Sequence, residues 1–286
     1  MIAAGGFKEV RLLDAAGKQV VATLPGHAEV VRAVVFTRDG KRLVAAGGVP
    51  GRKGEVKIWD VDQRAPVSAI AGHADTIYGL AVSPDGKMVA TSSYDKLIKL
   101  WDVDSGKEIR TLKDHIDAVY ALAVTADGKR LVSGAADRTV KIWDVATGTR
   151  LYTLGDATDG INAVALSPDG KLAAAAGIDK TIRVWALGEK SGRLLHTLIA
   201  HEDAILQLAW SPDGRTLVSS SADKSIKVFR AADLSEVRQI AAQPDWTYGL
   251  AFSPDGRRFA AGRYDGSLTL YEVGAREGAT VTAESR

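Results

Sequence analysis

The chain has 286 residues, 46% of them apolar, enough to bury a sizeable core. Lysine plus arginine number 37 against 35 aspartate plus glutamate, so the net charge is near +2 and no concentrated basic face for nucleic acid is indicated. Cysteine is absent, which excludes disulfides, thiolate zinc sites and cysteine nucleophiles together.

The first elements set the pattern. Residues 2–6 read as a strand that matches 44–48, residues 9–14 match 55–60, and 20–24 form a further strand. The chain is therefore expected to begin inside a repeat unit that has no innermost strand. A turn tetrapeptide then recurs: Thr37-Arg38-Asp39-Gly40, Ser83-Pro84-Asp85-Gly86, Thr125-Ala126-Asp127-Gly128, and Ser-Pro-Asp-Gly again at 167–170, 211–214 and 253–256. Its glycines are 46, 42, 42, 44 and 42 residues apart, a period that marks one supersecondary unit copied along the chain.

The unit is clearest at residues 72–113. Ile77–Val82 is its first strand, and proline and glycine set the turn that follows. Strands at 88–93, 97–102 and 108–112 complete it. No stretch sustains a helical period, so the chain reads as all-β. A second mark closes the third strand of each unit: Trp59-Asp60, Trp101-Asp102, Trp143-Asp144, then Trp185-Ala186, Phe229-Arg230 and Tyr271-Glu272. A third is a histidine near the unit's start, at His27, His73, His115 and His201.

These marks resemble the WD-repeat (WD40) family, in a bacterial-type form, over nearly the whole chain. The resemblance implies a single domain, a seven-bladed β-propeller of four-stranded antiparallel blades, whose first blade lacks its innermost strand. The expected blades are 2–25 (partial), 26–71, 72–113, 114–155, 156–199, 200–241 and 242–283. Residues 278–283 are expected as the outer strand of the last blade, with completion of the first blade as the alternative. The open inner edge of 2–6 makes self-association an expectation. A piece cut from a longer chain is the favoured account of that edge.

Sets such as His115, Ser133 and Asp137 mimic a hydrolase triad. The spacing recurs at His73, Thr91, Asp95 and at His201, Ser219, Asp223, whereas an enzyme needs one site. The resemblance makes them a structural chain, Trp N–H to hydroxyl to His to Asp, complete at His73, Thr91, Asp95, Trp101 and at His115, Ser133, Asp137, Trp143. Units five, six and seven depart from it, with Ala175, Phe229 and Tyr271 at key places, and are expected to rely more on plain packing. The glycine-rich segment 47–54 fails as a phosphate loop, since Gly54 follows Lys53 and two strands flank it. It reads as an extended hairpin, with a basic finger of Arg52 and Lys53 as the alternative. No metal cluster or cofactor motif is read.

Five of the seven tyrosines fall at two repeat positions. The second residue of the first strand reads Arg32, Tyr78, Tyr120, Asn162, Leu206, Tyr248. The residue before the turn aspartate includes Tyr94 and Tyr264, and Trp246 stands two before Tyr248. The resemblance places both positions at the channel mouth. Arg32, Tyr78, Tyr94, Tyr120, Trp246, Tyr248 and Tyr264 are the candidate partner-binding residues, because tyrosine and tryptophan bury large area while keeping a polar handle. The expected function is a non-enzymatic scaffold for a protein or peptide, with no nucleic acid, membrane or cofactor. The alternatives are an accessory propeller of a larger enzyme, or a structural or engineered propeller with no natural ligand. The compartment stays open, and no signal peptide or membrane span is read.

Overall fold

The computed structural model describes residues 1–274 and 280–281, and the regular structure in them is all strand. The first sheet has six strands in spatial order: β1 (Ile2–Gly5), β2 (Phe7–Leu13), β3 (Val20–Phe36), β4 (Arg42–Val49), β5 (Lys53–Asp60) and β6 (Ala65–His73). Five four-stranded sheets follow. The second is β7 (Ile77–Val82), β8 (Met88–Ser93), β9 (Ile98–Asp102) and β10 (Glu108–Leu112). The third is β11 (Val119–Val124), β12 (Arg130–Ala135), β13 (Val140–Asp144) and β14 (Arg150–Leu154). The fourth is β15 (Ile161–Leu166), β16 (Leu172–Gly177), β17 (Thr181–Leu187) and β18 (Gly192–Ile199). The fifth is β19 (Ile205–Trp210), β20 (Thr216–Ser221), β21 (Ile226–Arg230) and β22 (Glu236–Ile240). The sixth is β23 (Thr247–Phe252), β24 (Arg258–Arg263), β25 (Leu268–Glu272) and β26 (Thr280–Val281).

The all-β propeller stands, but the expected seven separate blades are corrected to six sheets. The cause is β3. Its first part pairs with β2, Leu24 opposite Val10, and its last part pairs with β4, Val35 opposite Val44. Residues 25–30 look like a loop in sequence. They stay extended because Pro25 and Val30 pair with Glu9 and Phe7. A three-stranded wing, β1, β2 and the start of β3, is thereby fused to β4–β6.

The alignment of residues 2–6 with 44–48 is also corrected, by one residue. Ile2 pairs with Leu13 as Leu43 pairs with Trp59. The β1–β2 hairpin closes tightly, with Gly6 N–H donating to Glu9 O at 2.9 Å. The β4–β5 hairpin runs further, through Gly48 opposite Gly54 and Val49 opposite Lys53, so 47–54 is extended hairpin. β26 pairs with β25 at the outer end of the sixth sheet. The rest of 278–283 lies outside the described residues.

The repeated tetrapeptide is a self-satisfied turn. Ser83 Oγ donates to Asp85 at 2.5 Å and accepts Met88 N–H at 2.9 Å, while Asp85 accepts Lys87 N–H at 3.1 Å. Gly86 has φ +72, which an L side chain rarely adopts. Packing follows from strand alternation. The third strand of each sheet sends its large residue into the interval with the preceding sheet: Trp101 meets Val44 and Ile58, and Trp143 meets Ala81 and Leu100. The six inner strands β3, β7, β11, β15, β19 and β23 line a central channel, with β1 beside them.

Candidate functional site

The histidine sets come together as hydrogen-bonded chains. His73 Nδ1 lies 2.8 Å from Asp95 and Nε2 lies 2.8 Å from Thr91 Oγ1, which also accepts Trp101 Nε1–H at 2.8 Å. In the third sheet His115 reaches Asp137 at 2.7 Å and Ser133 at 2.7 Å, and Trp143 Nε1–H donates to Ser133 at 2.8 Å. Burial pushes Asp137 up, but hydrogen bonds from His115 and Thr139 outweigh it and hold the carboxyl well below the usual range. Thr91 and Ser133 are fully buried, so no external carbonyl can reach either oxygen. The arrangement has the distances of a triad without the access.

Plain packing does not replace the chain elsewhere, which corrects the expectation for the later units. In the fourth sheet Trp185 Nε1–H donates to Asp156 at 2.9 Å, and buried Arg183 pairs with Asp179 at 2.7 Å. The fifth keeps His201 on Asp223 at 3.0 Å and on Ser219 at 2.7 Å, and loses only the indole, to Phe229. In the sixth, Arg263 donates to Gln243 at 2.6 Å, Tyr271 at 2.9 Å and Thr269 at 2.9 Å. The reason is general: a buried polar position left by a lost histidine must be satisfied by something else. His27 is the partial exception. Glu55 stands in for the aspartate at 3.2 Å, while His27 Nε2 has no partner because Ala45 occupies the hydroxyl position.

The seven candidate binding residues form one arc. Tyr78 is its hinge, with ring centroids 5.3 Å from Tyr120 and 6.5 Å from Tyr94, and the Arg32 guanidinium 5.4 Å over its face. Trp246, Tyr248 and Tyr264 make a second cluster, 6.5, 6.4 and 6.2 Å apart, each pair tilted or edge-on. Burial pushes the Tyr248 hydroxyl pKa up, and the Arg32 charge partly opposes it; Arg32 and Tyr248 both line the channel. The backbone explains the proximity. Tyr94 N–H donates to Thr76 O and Tyr264 N–H donates to Trp246 O, tying each second hairpin to the start of its inner strand. Tyr94, Trp246, Tyr248 and Tyr264 are 52, 41, 44 and 71% exposed. Asn162 is not available in this way, since its amide donates to Ile205 O at 2.9 Å.

The channel adds what the sequence reading lacks. Among the described residues Arg11, Arg32 and Arg263 line it and no carboxylate does, although Arg11 is paired with Glu9 at 2.8 Å. Arg32 stands at a repeat position already singled out, whereas Arg11 and Arg263 belong to no motif and carry no periodic signal.

Comparison with known families finds the WD domain, G-beta repeat (WD40), at residues 18–60, 64–102, 106–144, 148–186, 192–230 and 235–272. The chain belongs to this family. The second to sixth matches begin at or just before the outer strand of one sheet and end in the third strand of the next, so each joins two neighbours, while the first lies within the six-stranded sheet, from β3 to β5. No curated protein is significantly similar to the chain. Propellers of the family are typically protein-interaction scaffolds and typically non-enzymatic.

Proposed function

We propose that this propeller is a non-enzymatic platform that holds a protein or peptide across the channel mouth, on Arg32, Tyr78, Tyr94, Tyr120, Trp246, Tyr248 and Tyr264. The observation that carries the reading is the three-ring cluster of Trp246, Tyr248 and Tyr264. Large aromatic faces stay in water there, although each is already held by its neighbours. Rigid, half-exposed aromatics lose little entropy on binding and supply much area. Arg32 offers a planar donor fork to a carboxylate on the partner. The histidine chains serve the scaffold: they fix the hairpins from which Tyr94 and its equivalents project.

The test compares partners captured by wild type and by a Tyr94→Ala/Tyr248→Ala/Tyr264→Ala variant, followed by measured affinities. Each true anchor should cost about 2 kcal/mol or more in binding with the melting temperature unchanged. A folded variant that keeps every specific partner at full affinity removes the arc as the site.

A further inference from the structure

The glycine-rich hairpin between β4 and β5 is used neither by the packing of the ring nor by the aromatic arc. In the second sheet the corresponding hairpin stops pairing at Ser92 opposite Ile98. In the first sheet it runs on past the equivalent pair, Ala46 opposite Val56, through Gly47–Glu55, Gly48–Gly54 and Val49–Lys53. Arg52 N–H donates to Val49 O at 3.0 Å and closes the tip, where Arg52 and Lys53 are exposed. This finger is held in place. Gly51 N–H donates to Asp75 Oδ1 at 2.8 Å, across the interval to the second sheet. A Cβ on Gly54 would collide with the Asp75 carbonyl, and one on Gly47 with the Val30 carbonyl. The glycines therefore let the finger lie directly on its neighbours' backbone. Cations on a fixed hairpin lose less freedom on binding than cations on a mobile loop.

The finger also stands at a telling place. The hairpins that correspond to it carry Tyr94 in the second sheet and Tyr264 in the sixth. The first sheet lies between those two: its wing meets the sixth sheet through Leu13, Ala260 and Leu268, and β3 packs beside β7. Where its neighbours present rings, it presents cations. Arg32 lies 5.4 Å over the Tyr78 ring, and Arg52 and Lys53 stand on the finger. Among the described residues neither Arg32 nor Arg52 has a carboxylate within ion-pair distance. Lys53 is 3.8 Å from Glu55, a loose pair, because Glu55 already accepts from Ala28 N–H and meets His27. The Asp75 carboxylate is likewise taken, by Gly51 N–H and Thr76 N–H. Along the arc the order is therefore ring cluster, cations, ring cluster.

We propose that the finger reads charge on the docking surface. Arg52 and Lys53, with Arg32, take the carboxylates of an acidic stretch in the partner polypeptide. Apolar residues on either side of that stretch reach the Tyr78–Tyr94 pair and the Trp246–Tyr248–Tyr264 cluster. The inference rests on the arc being the binding face, and it adds the partner's character along its length: apolar, acidic, apolar. Guanidinium groups suit this role, since their planar fork of donors matches a carboxylate and their charge needs no titration. The rings supply area, and the cations select against neutral and basic segments.

The probe is a random peptide library, displayed on phage and panned against the full chain, with the selected sequences then synthesised and their affinities measured. Sequences with aspartate or glutamate between apolar residues are expected. Arg52→Gln/Lys53→Gln should weaken their binding about tenfold or more and flatten its salt dependence, with the melting temperature unchanged. The charge-conserving Arg52→Lys/Lys53→Arg variant should keep most of the affinity. Selection of neutral or basic peptides, or of none, overturns the proposal, as does an acidic peptide that binds the glutamine variant as tightly as wild type. The Tyr94→Ala/Tyr248→Ala/Tyr264→Ala variant separates this inference from the reading it rests on. Peptides that lose affinity there but not on the glutamine variant leave the arc standing and remove the finger. Peptides that bind both variants at full strength remove the arc as well.

Discussion

At the residue scale, each complete histidine chain ties four side chains together: Nδ1 meets the carboxylate, Nε2 meets the hydroxyl, and the indole N–H donates to that same hydroxyl oxygen. His27 breaks this chain at one atom. Its Nε2 is buried and unpartnered, because Ala45 stands where Thr91, Ser133 and Ser219 stand in other sheets. Ala45→Ser is expected to stabilise the protein by about 1 kcal/mol, and Ser133→Ala to cost about 1–3 kcal/mol by stranding two partners. Urea unfolding of both variants checks the pair. Acid should weaken the same chains. Burial holds His27 and His201 below their ordinary 6.5, and Glu55 and Asp223 recover only part of the shift. A histidine depressed in the fold takes up its proton first in the unfolded chain, so its stabilisation is full above 6.5 and is lost as pH falls below it. Asp95 and Asp137 are pushed up by burial but lowered overall by their histidines, so their contribution is full above 3.8 and goes as pH falls further. Melting temperature should be flat between about pH 8 and 7, decline below about 6.5 and drop more steeply below about 4. A melting temperature that rises on going from neutral to mildly acidic solution contradicts the burial-lowered pKa of His27 and His201.

At the element scale, the sixth sheet shows how a lost motif is replaced. Gln243 stands at the histidine position, four before the inner strand, and its Oε1 accepts Arg263 at 2.6 Å and Tyr271 at 2.9 Å. Gln243→Leu should cost about 2–3 kcal/mol, because it strips bonds from a buried guanidinium. The double variant Gln243→Leu/Arg263→Met should recover part of that loss, since removing both partners leaves no stranded charge. Chemical denaturation of the single and double variants decides it; no recovery means that Arg263 acts by its bulk. The same sheet marks the limit of sequence reading. Turns and strand order were legible, because Ser-Pro-Asp-Gly satisfies its own groups locally and hydrophobic alternation is local too. The aromatic arc was legible as a positional excess of tyrosine. The substitute networks were not, because Asp156, Arg183, Gln243 and Arg263 answer a partner's absence and belong to no motif. The wing was misread for two reasons. Pro25 and Gly26 look like a loop unless the pairing of Pro25 and Val30 with β2 is known. Ala3-Ala4-Gly5-Gly6 also matches Ala45-Ala46-Gly47-Gly48 letter for letter, although the shorter hairpin shifts the register by one.

At the scale of the whole molecule, ring stability rests on the intervals between sheets. Five of them are filled by the large residue that closes each third strand, Trp101, Trp143, Trp185, Phe229 and Tyr271, while Trp59 fills the fold between the wing and the rest of the first sheet. The interval between the wing and the sixth sheet has Leu13 there instead, with Ala260, Leu268 and Leu270 as its other buried members. Among the described residues it also lacks the apolar side chains that an inner strand contributes elsewhere. Among the described residues fewer buried apolar side chains gather at this seam than at any other interval, so the seam is the place where the ring should part first. The consequence is a graded opening. Amides of β2 and β25, buried in hydrogen-bonded ladders on either side of the seam, should exchange through a partial opening of lower free energy than global unfolding. Amides of β12 and β16, flanked by Trp143 and Trp185, should exchange only through global unfolding. Native-state hydrogen exchange across a series of low denaturant concentrations separates the two classes by their denaturant dependence. If β2 and β25 follow the same isotherm as β12 and β16, the ring opens as one cooperative unit and the seam is as strong as the rest. If they exchange earlier, the interval between the wing and the sixth sheet is the weak point of the ring.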